Sequence, residues 1–230
     1  MTAPDQPALM VRDVVRSFDH PAGSARVLDR IDMTVSAGEI VTVAGPSGSG
    51  KTALLSILCG FDRPDSGTVT IAGRPVDTRA ISCAPSWRDC AILPQTLGLA
   101  DELTLAENVA LPLLLNGQNG LNRRRDWRWQ VDEMLAELGI AALADRYPHQ
   151  VSFGQQQRAA VARAVIAGPA VLLADEPTAH LDVGGAEAVL SVLRHAAERG
   201  AGLVVATHDE QVHRIADRTL ALTEGRLVSR

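Results

Sequence analysis

The residues of this sequence that could do chemistry begin with Gly45 to Thr52, GPSGSGKT, which fit the phosphate-binding pattern G-x-x-x-x-G-K-[ST]. Its glycines let the backbone take positive φ angles and bring N–H groups close to phosphate oxygens, where a Cβ would clash. Lys51 offers a point charge for the β- and γ-phosphates, and the hydroxyl of Thr52 is a ligand for Mg²⁺. We predict nucleotide contacts from these residues: Gly45, Pro46, Ser47, Gly48, Ser49, Gly50, Lys51, Thr52 and the adjacent Ala53.

The flanking residues distinguish this loop from a Gly/Ser-rich turn that happens to contain a lysine. Glu39 to Ala44 is a β-branched apolar run typical of a buried strand, and Lys51 to Leu58 has a helical pattern that ends at Gly60. Phosphate binding requires this order of strand, loop and helix, and the dipole at the helix N-terminus favours an anion. The context therefore favours nucleotide binding.

A second chemical element is the acidic pair Asp175-Glu176, which follows the apolar run Val171 to Ala174. Beside a phosphate-binding loop, Asp175 would hold Mg²⁺ directly or through water, and Glu176 would polarise the attacking water as a general base. An acidic pair after a strand is more often a turn or a helix cap. The loop at Gly45 to Thr52 favours the metal interpretation, because the metal needs a carboxylate on a neighbouring strand.

Two further polar residues follow apolar runs. His208 comes after the run Leu203 to Ala206, so its imidazole should lie at the carboxyl end of the sheet and could bond the γ-phosphate or the water. Gln95 follows Ala91 to Leu93 and could reach metal and water from a flexible loop. The alternatives are an ordinary helix-entry histidine and an uninvolved glutamine. The predicted catalytic residues are Glu176, His208, Gln95 and Lys51, and the predicted metal ligands are Thr52, Gln95 and Asp175.

Ser152 opens a predicted helix and is followed by Phe153, Gly154 and Gln155. A serine at an exposed helix start, with a glycine and a glutamine beside it, forms a second anion site that the loop of the same chain does not need. Plain capping of the helix is the alternative, because serine followed three residues later by glutamine is a capping box.

Composition and charge exclude several classes of protein. The 230 residues suit one large domain, or one domain with an insertion, and a net charge of −5 gives no electrostatic reason to expect nucleic-acid binding. No apolar run reaches the roughly 18 residues needed to cross a bilayer, and the first residues lack a signal-peptide pattern. We therefore expect a cytosolic protein, with Cys59, Cys83 and Cys90 as small buried or partly buried thiols.

The N-terminal third has the periodicity of an antiparallel β subdomain. Leu9 to Val15, Val27 to Leu28 and Ile31 to Val35 have the patterns of short strands, with a loop predicted at His20 to Ala25. A further strand is predicted at Thr68 to Ile71, after a turn signal.

The later part of the chain predicts a P-loop α/β core that carries a helical insertion. From about 96 to 168 the pattern is helical, with capping boxes at Thr104 and Ser152, and this segment would be an inserted α-helical subdomain. The apolar runs at 171–174 and 203–206 are typical of parallel strands covered on both faces. We predict one α/β domain over residues 1–230 with a mainly parallel sheet.

Five motifs in one order resemble those of an ATP-binding cassette (ABC) ATPase, and the resemblance covers residues 8 to 228. They are Gly45 to Thr52, Gln95, Val151 to Gln155, Val171 to Glu176 with Ala179 to Asp182, and His208. The resemblance implies that two copies pair head to tail around ATP and Mg²⁺. Ser152, Phe153, Gly154 and Gln155 would then contact the γ-phosphate bound by the partner, Asp182 would couple the two sites, and Phe18 would stack on adenine or, alternatively, lie in the core.

The helical segment is similar to that of single-cassette ATPases of the lipoprotein-release, macrolide-export and cell-division group. This resemblance implies a homodimer that binds integral-membrane permease subunits, peripheral to the inner face of the cell membrane, and not nucleic acid. The alternatives are a nucleotide-gated regulatory module that does not transport, a soluble ATPase that acts on nucleic acid, and a cassette inactivated by Phe153. Phe153, Pro94 and His180 depart from the family's usual motifs, and none of them removes a catalytic group.

Overall fold

A computed structural model describes residues 6–20, 23–76, 85–115 and 126–229. The N-terminal part forms a four-stranded antiparallel sheet in the order β2-β1-β4-β5. Its strands are β1 (Leu9–His20), β2 (Gly23–Val35), β4 (Ser66–Ile71) and β5 (Arg74–Pro75). The predicted antiparallel subdomain is confirmed.

Strands β1 and β2 are longer than the sequence pattern indicates. Their pairing continues through Phe18 opposite Ala25 to His20 opposite Gly23, so the loop predicted at His20 to Ala25 is wrong at both of its ends, and its residues 21 and 22 lie outside the described residues. The register shifts at three points along this hairpin. Such irregularities break the apolar alternation that marks a strand in the sequence, while backbone hydrogen bonds on either side of them continue the ladder.

The second sheet has six strands in the order β10-β9-β3-β8-β7-β6, and all of its neighbours are parallel except β10 and β9. The central strands are buried on both faces, as their continuous apolar sequences predicted. The strands are β3 (Ile40–Ala44), β6 (Cys90–Leu93), β7 (Val171–Asp175), β8 (Gly202–Ala206), β9 (Arg218–Thr223) and β10 (Arg226–Ser229).

The helices of the described ranges are α1 (Lys51–Leu58), α2 (Leu105–Leu115), α3 (Asp126–Glu137), α4 (Phe153–Val165), α5 (Val183–Glu198) and α6 (Glu210–Arg214). Helix α1 has its predicted bounds, and α2 and α4 begin directly after the predicted capping residues Thr104 and Ser152. The predicted box before α2 is present, because Glu107 N–H donates to Thr104 Oγ1 at 3.2 Å and Thr104 N–H donates to Glu107 Oε2 at 2.8 Å. No helix in these ranges is long and apolar enough to cross a bilayer.

The parallel sheet separates two hydrophobic cores. Leu203 and Val205 of β8 belong to the core that includes α2 to α5, whereas Val204 and Ala206 belong to the core that includes α1 and the antiparallel sheet. This alternation follows from the two-residue period of a strand. Both faces of the sheet are therefore fixed by packing, and the loops at its carboxyl edge project from a rigid support.

Two of the predicted thiols lie in the second core, while Cys83 falls outside the described residues. Cys59 and Cys90 are buried, and burial raises the pKa of Cys59 to about 11 and raises the pKa of Cys90 further. Because the thiolate is the reactive form, we expect both to resist iodoacetamide in the native protein at about pH 8 and to react after unfolding. Peptide mass spectrometry of the two samples measures this, and native labelling of Cys59 as fast as in denaturant would contradict it.

Candidate active site

The loop between β3 and α1 forms a cradle that only glycine fits at two positions. A Cβ on Gly50, whose φ is 103°, would lie 2.8 Å from Val27 Cγ1. A Cβ on Gly45 would lie 2.6 Å from Ser49 Oγ and 2.7 Å from the carbonyl oxygen of Leu222. The backbone therefore approaches its neighbours more closely than any other residue would allow.

Helix α1 starts from this loop without a side-chain cap and without an acidic residue in its first turn. Its first N–H groups are thus available to an anion, as expected of a phosphate site. Lys51 Nζ donates to the carbonyl oxygens of Gly45 at 2.7 Å and Pro46 at 3.1 Å, so the ammonium group lies over the same loop. Ser49 Oγ is buried and has no hydrogen-bond partner among the described residues. The donor set fits a polyphosphate.

Thr52 and Asp175 bring a hydroxyl and a carboxylate together from two different elements. Thr52 Oγ1, on the first turn of α1, donates to Asp175 Oδ2 at 2.7 Å, at the end of β7. Desolvation raises the pKa of the buried Asp175 carboxyl, and the neighbouring charge of Glu176 raises it further, against the lowering effect of the Thr52 bond.

The same pair can hold a small hard cation. No group of three or more His, Cys, Asp or Glu that could hold a metal is found in the described ranges. A cation bound there would take one hydroxyl ligand from Thr52 and one carboxylate ligand from Asp175. That donor set suits Mg²⁺, which keeps several waters and takes further ligands from phosphate. The bound cation would also neutralise the desolvated charge of the Asp175 carboxylate.

The buried charge of Asp175 predicts that Asp175→Asn stabilises the nucleotide-free protein. A carboxyl whose pKa is raised on folding destabilises the fold fully above the raised pKa. The effect fades as the pH falls from the raised pKa toward the ordinary value of 3.8, and it is absent below that value. The amide oxygen of Asn still accepts from Thr52. We expect a gain on the order of 1 kcal/mol near pH 8, or roughly 2–4 °C in Tm, which disappears in acid.

Thermal unfolding of the wild type, Asp175→Asn and the control variant Asp132→Asn, near pH 8 and in acid, measures this effect. Asp132 is exposed on α3, so its substitution should leave Tm unchanged. An Asp175→Asn protein that unfolds earlier than the wild type near pH 8 would contradict the assigned cause.

Glu176 is held in one orientation by the end of β8. Its Oε1 lies 2.7 Å from His208 Nδ1, and its Oε2 accepts from Thr207 Oγ1 at 2.9 Å. The Glu176 backbone takes a left-handed φ of 50°, and its N–H donates to the carbonyl oxygen of Ala206 at 2.8 Å. Its side chain is 15% exposed, whereas that of His208 is 82% exposed. A carboxylate fixed in this way can accept a proton from a water in the cleft.

Sequence reasoning missed two residues that support Glu176. Gln157 is 2% exposed and donates from Nε2 to the carbonyl oxygens of Pro177 at 3.0 Å and Glu176 at 3.3 Å. Thr207 also accepts from the N–H of Asp209 at 3.0 Å. The position of Gln157 on the apolar side of α4 was the available signal, because a buried amide must find hydrogen-bond partners.

These groups surround a cleft of about 600 Å³ at the carboxyl edge of the parallel sheet. The cleft brings together most of the predicted residues of the loop with the predicted Gln95, Asp175, Glu176 and His208. It also includes Phe153, Gln157, Ala179 and His180, while its lining does not include Ser49, Ser152, Gly154, Gln155, Asp182 or Phe18. Phe18 is 40% exposed and its ring lies 4.6 Å from the Arg16 guanidinium, so the alternative of a core phenylalanine is wrong.

Ser152 and Asp182 each cap a helix. Ser152 Oγ accepts from the N–H of Gln155 at 3.3 Å, while the N–H of Ser152 donates to Gln155 Oε1 at 2.9 Å, which confirms the predicted capping box. Asp182 Oδ1 accepts from the N–H of Gly185 at 2.9 Å at the start of α5. Phe153 projects toward the cleft, where its ring lies edge-on to that of His180 at 4.9 Å. The start of α4 thus contacts the segment before Asp182.

Comparison with known proteins identifies the family. The ABC transporter family model matches residues 28–179. The lipoprotein-releasing system ATP-binding protein LolD of Chromohalobacter salexigens is 35% identical over 237 residues, which cover 99% of this chain and 98% of that protein. The macrolide export ATP-binding/permease protein MacB of Escherichia coli K12 is 36% identical over 226 residues, which cover 96% of this chain and 34% of that protein. The chain thus spans about a third of the length of the MacB relatives.

A solved structure agrees with this assignment. The dimeric, post-hydrolysis structure of the ATP-binding cassette MJ0796 bound to ADP and Pi has a TM-score of 0.89 and 30% identity, and covers 95% of this chain and 96% of that one. The predicted cassette fold and the predicted family resemblance are confirmed, and the relatives include proteins of the lipoprotein-release and macrolide-export types. This chain belongs to the ABC transporter family, as an ATP-binding cassette.

Proposed function

We propose that this chain is the ATP-binding and ATP-hydrolysing subunit of an ABC transporter complex, and that residues 1–230 form its single nucleotide-binding domain. One observation carries the proposal. At one edge of a rigid parallel sheet, an uncapped glycine loop, the Thr52–Asp175 pair and the oriented Glu176 line a single cleft. Each of these groups supplies a different requirement of phosphoryl transfer to water.

The residues of the cleft divide into binding and chemical groups. The backbone N–H groups of residues 45–53, except Pro46, which has none, and the Lys51 ammonium would bind the phosphates, and Thr52, Asp175 and Gln95 would hold Mg²⁺. Mg²⁺, when bound, neutralises charge on the phosphate oxygens. Glu176 accepts a proton from the attacking water at its carboxylate, and Thr207 and His208 hold that carboxylate in position. Gln95 and His208 also orient the water or the γ-phosphate.

The remaining half of the pocket comes from a second copy. The Ser152 to Gln155 segment caps its own helix and is not part of the cleft of its own chain, apart from the Phe153 ring. The dimeric structure of MJ0796 supports pairing of two copies. A head-to-tail pair would place this segment against the nucleotide of the partner. Asp182 would then couple the two sites through the contact between Phe153, at the start of α4, and His180, just before Asp182. Phe18 remains the proposed adenine contact.

Integral-membrane permease subunits are the proposed partners. LolD is named as the ATP-binding protein of a releasing system, and MacB as a protein that is both cassette and permease. The present chain has no helix able to cross a bilayer in its described ranges. We therefore place it at the inner face of the cell membrane, where it would drive a separate permease that exports or releases a lipophilic or peptide substrate.

Phosphate release from ATP by the purified chain tests this function. With Mg²⁺ we expect steady turnover, and removal of Mg²⁺ by EDTA should lower the rate at least about tenfold, because the phosphate charge is no longer neutralised. A fluorescent ATP analogue measures binding in parallel. A chain that binds no ATP, with or without Mg²⁺, would contradict the proposal.

A further inference from the structure

Arg163 is a buried cation that forms no ion pair with an acidic residue in the described ranges. Its residue is 7% exposed within α4, and desolvation lowers the pKa of its guanidinium. Its hydrogen bonds go to two backbone oxygens, from Nη2 to Leu97 at 2.5 Å and from Nη1 to Gly98 at 2.6 Å. Burying a guanidinium among carbonyl groups is energetically costly, because no carboxylate in the part of the chain that the structure describes neutralises its charge. Its two hydrogen bonds to Leu97 and Gly98 must therefore compensate for the cost of burying the charge.

The two carbonyl groups belong to consecutive residues in the left-handed region. Leu97 has a φ of 43° and Gly98 a φ of 59°. For leucine this conformation costs about 1–2 kcal/mol, so the contacts around it must hold it in place. The N–H of Leu97 donates to the carbonyl oxygen of Pro94 at 3.1 Å, which closes a turn over Gln95. Arg163 is thus hydrogen-bonded to the carboxyl end of the turn that contains Gln95.

The rest of this loop is fixed by other elements. On the amino side, Leu93 pairs with Ala174 in the parallel sheet. On the carboxyl side, the buried Asn108 of α2 accepts from the N–H of Ala100 at 2.8 Å and donates to its carbonyl oxygen at 3.0 Å. Between these points, Arg163 supplies the hydrogen bonds that link the Gln95 turn to α4.

We propose that Arg163 is a positioning residue that sets the place of Gln95 in the cleft by fixing the Gln95 turn to α4. The proposal rests on the function proposed above. Arginine suits this task because its planar fork presents two donors in fixed directions to two adjacent carbonyl groups, whereas the ammonium of lysine is a single point charge. Because Ser152 caps α4, the same helix is joined to the segment proposed to contact the second copy, so Arg163 links the Gln95 turn to that segment.

Arg163→Lys tests the proposal, because it should lower the turnover number kcat without changing the Kd for ATP. We expect kcat to fall on the order of tenfold to a hundredfold, because a small displacement of Gln95 disturbs the reacting geometry. The Kd for ATP should stay within about twofold, since the loop at residues 45–53 is untouched. The matched control is Arg218→Lys, because Arg218 Nη2 also donates to a backbone oxygen, that of Thr34 at 2.6 Å, on another strand. The control should keep both values.

A double-mutant cycle with Gln95→Ala separates positioning from general damage. If Arg163 acts through Gln95, adding Arg163→Lys to Gln95→Ala should lower kcat by less than about twofold further. If the fold-loss of kcat in the double variant equalled the product of the two single-variant losses, the proposal would be overturned. An Arg163→Lys protein with wild-type kcat, or one whose Kd for ATP rises as much as its kcat falls, would also overturn it.

Hydrogen exchange of the nucleotide-free protein gives a readout that does not depend on ATP. Arg163→Lys should speed exchange in the peptide that covers residues 94–99, while peptides from β8 and α5 keep their protection. Unchanged exchange at 94–99, or faster exchange throughout α4, would overturn the positioning role even if the wild type proved unable to bind ATP. If Arg163→Lys does not fold, Gly98→Ala perturbs the same contact from the loop side. Its Cβ would lie at an ordinary contact distance of 3.7 Å from Arg163 Nη2, so the perturbation comes from the positive φ of the turn, which disfavours alanine.

Discussion

Glu176→Gln is expected to lower ATP turnover by about a hundredfold to ten-thousandfold, which is the usual contribution of a general base. The substitution removes the group that takes the proton of the attacking water. It keeps the shape of the side chain, and the amide oxygen can still accept the hydrogen bond from Thr207. The loop at residues 45–53 does not change, so ATP binding should be preserved. Phosphate release at saturating ATP measures the loss, and a fluorescent ATP analogue measures the binding.

Glu198→Gln is the matched control for this prediction. Glu198 is exposed at the carboxyl end of α5, near the start of β8 and thus at the opposite edge of the sheet from the cleft. Its loss should leave turnover unchanged. If Glu176→Gln retained more than about a tenth of the wild-type rate, another group would have to be the base, and the assignment of Glu176 would fail.

Lys51→Ala is expected to weaken ATP binding by about tenfold to a hundredfold. A hydrogen bond to a charged group contributes roughly 1.5–3 kcal/mol, and Lys51 is the basic residue in the lining of the cleft apart from its two histidines. Among the described residues, the Lys51 ammonium donates to two loop carbonyl groups, and the bond to Pro46 is exposed. The unfolding temperature of the nucleotide-free protein should therefore change little. Calorimetric titration with ATP and a thermal melt separate these two effects.

Arg194→Ala removes an exposed arginine of α5 that is absent from the cleft lining, and it should leave the Kd for ATP unchanged. An unaltered Kd in Lys51→Ala would mean that the cleft does not bind the phosphates through this loop. A large loss of stability in the same variant would instead assign Lys51 a structural role.

Much of the site could be predicted because the features that build it are determined by short stretches of sequence. The glycine positions of the loop follow from backbone conformation, and the strand before it and the helix after it have clear periodicities. The pairing of Thr52 with Asp175, which lie 123 positions apart, was also predictable, because the chemistry of Mg²⁺ calls for a carboxylate on a neighbouring strand. The bond of His208 to Glu176, 32 positions away, depends instead on how β7 and β8 align.

Other features could not be predicted, because tertiary packing decides them. The long pairing of β1 and β2 depends on register shifts that interrupt the sequence pattern. The burial of Arg163 has no local signal, since an arginine in an amphipathic helix is usually exposed. Phe18 was compatible with both a core and a surface position, and only the structure shows that its ring is partly exposed beside Arg16.

The central claim is that each ATP lies between two copies of this chain, and light scattering during gel filtration tests it most directly. Glu176→Gln with ATP and Mg²⁺ should elute at twice the 24.4 kDa mass of one chain, and without nucleotide at the single mass. Adding Ser152→Arg should keep the single mass with ATP bound, because the bulky side chain would occupy the contact to the nucleotide of the partner. A Glu176→Gln protein that binds ATP and still elutes at the mass of one chain would contradict the account.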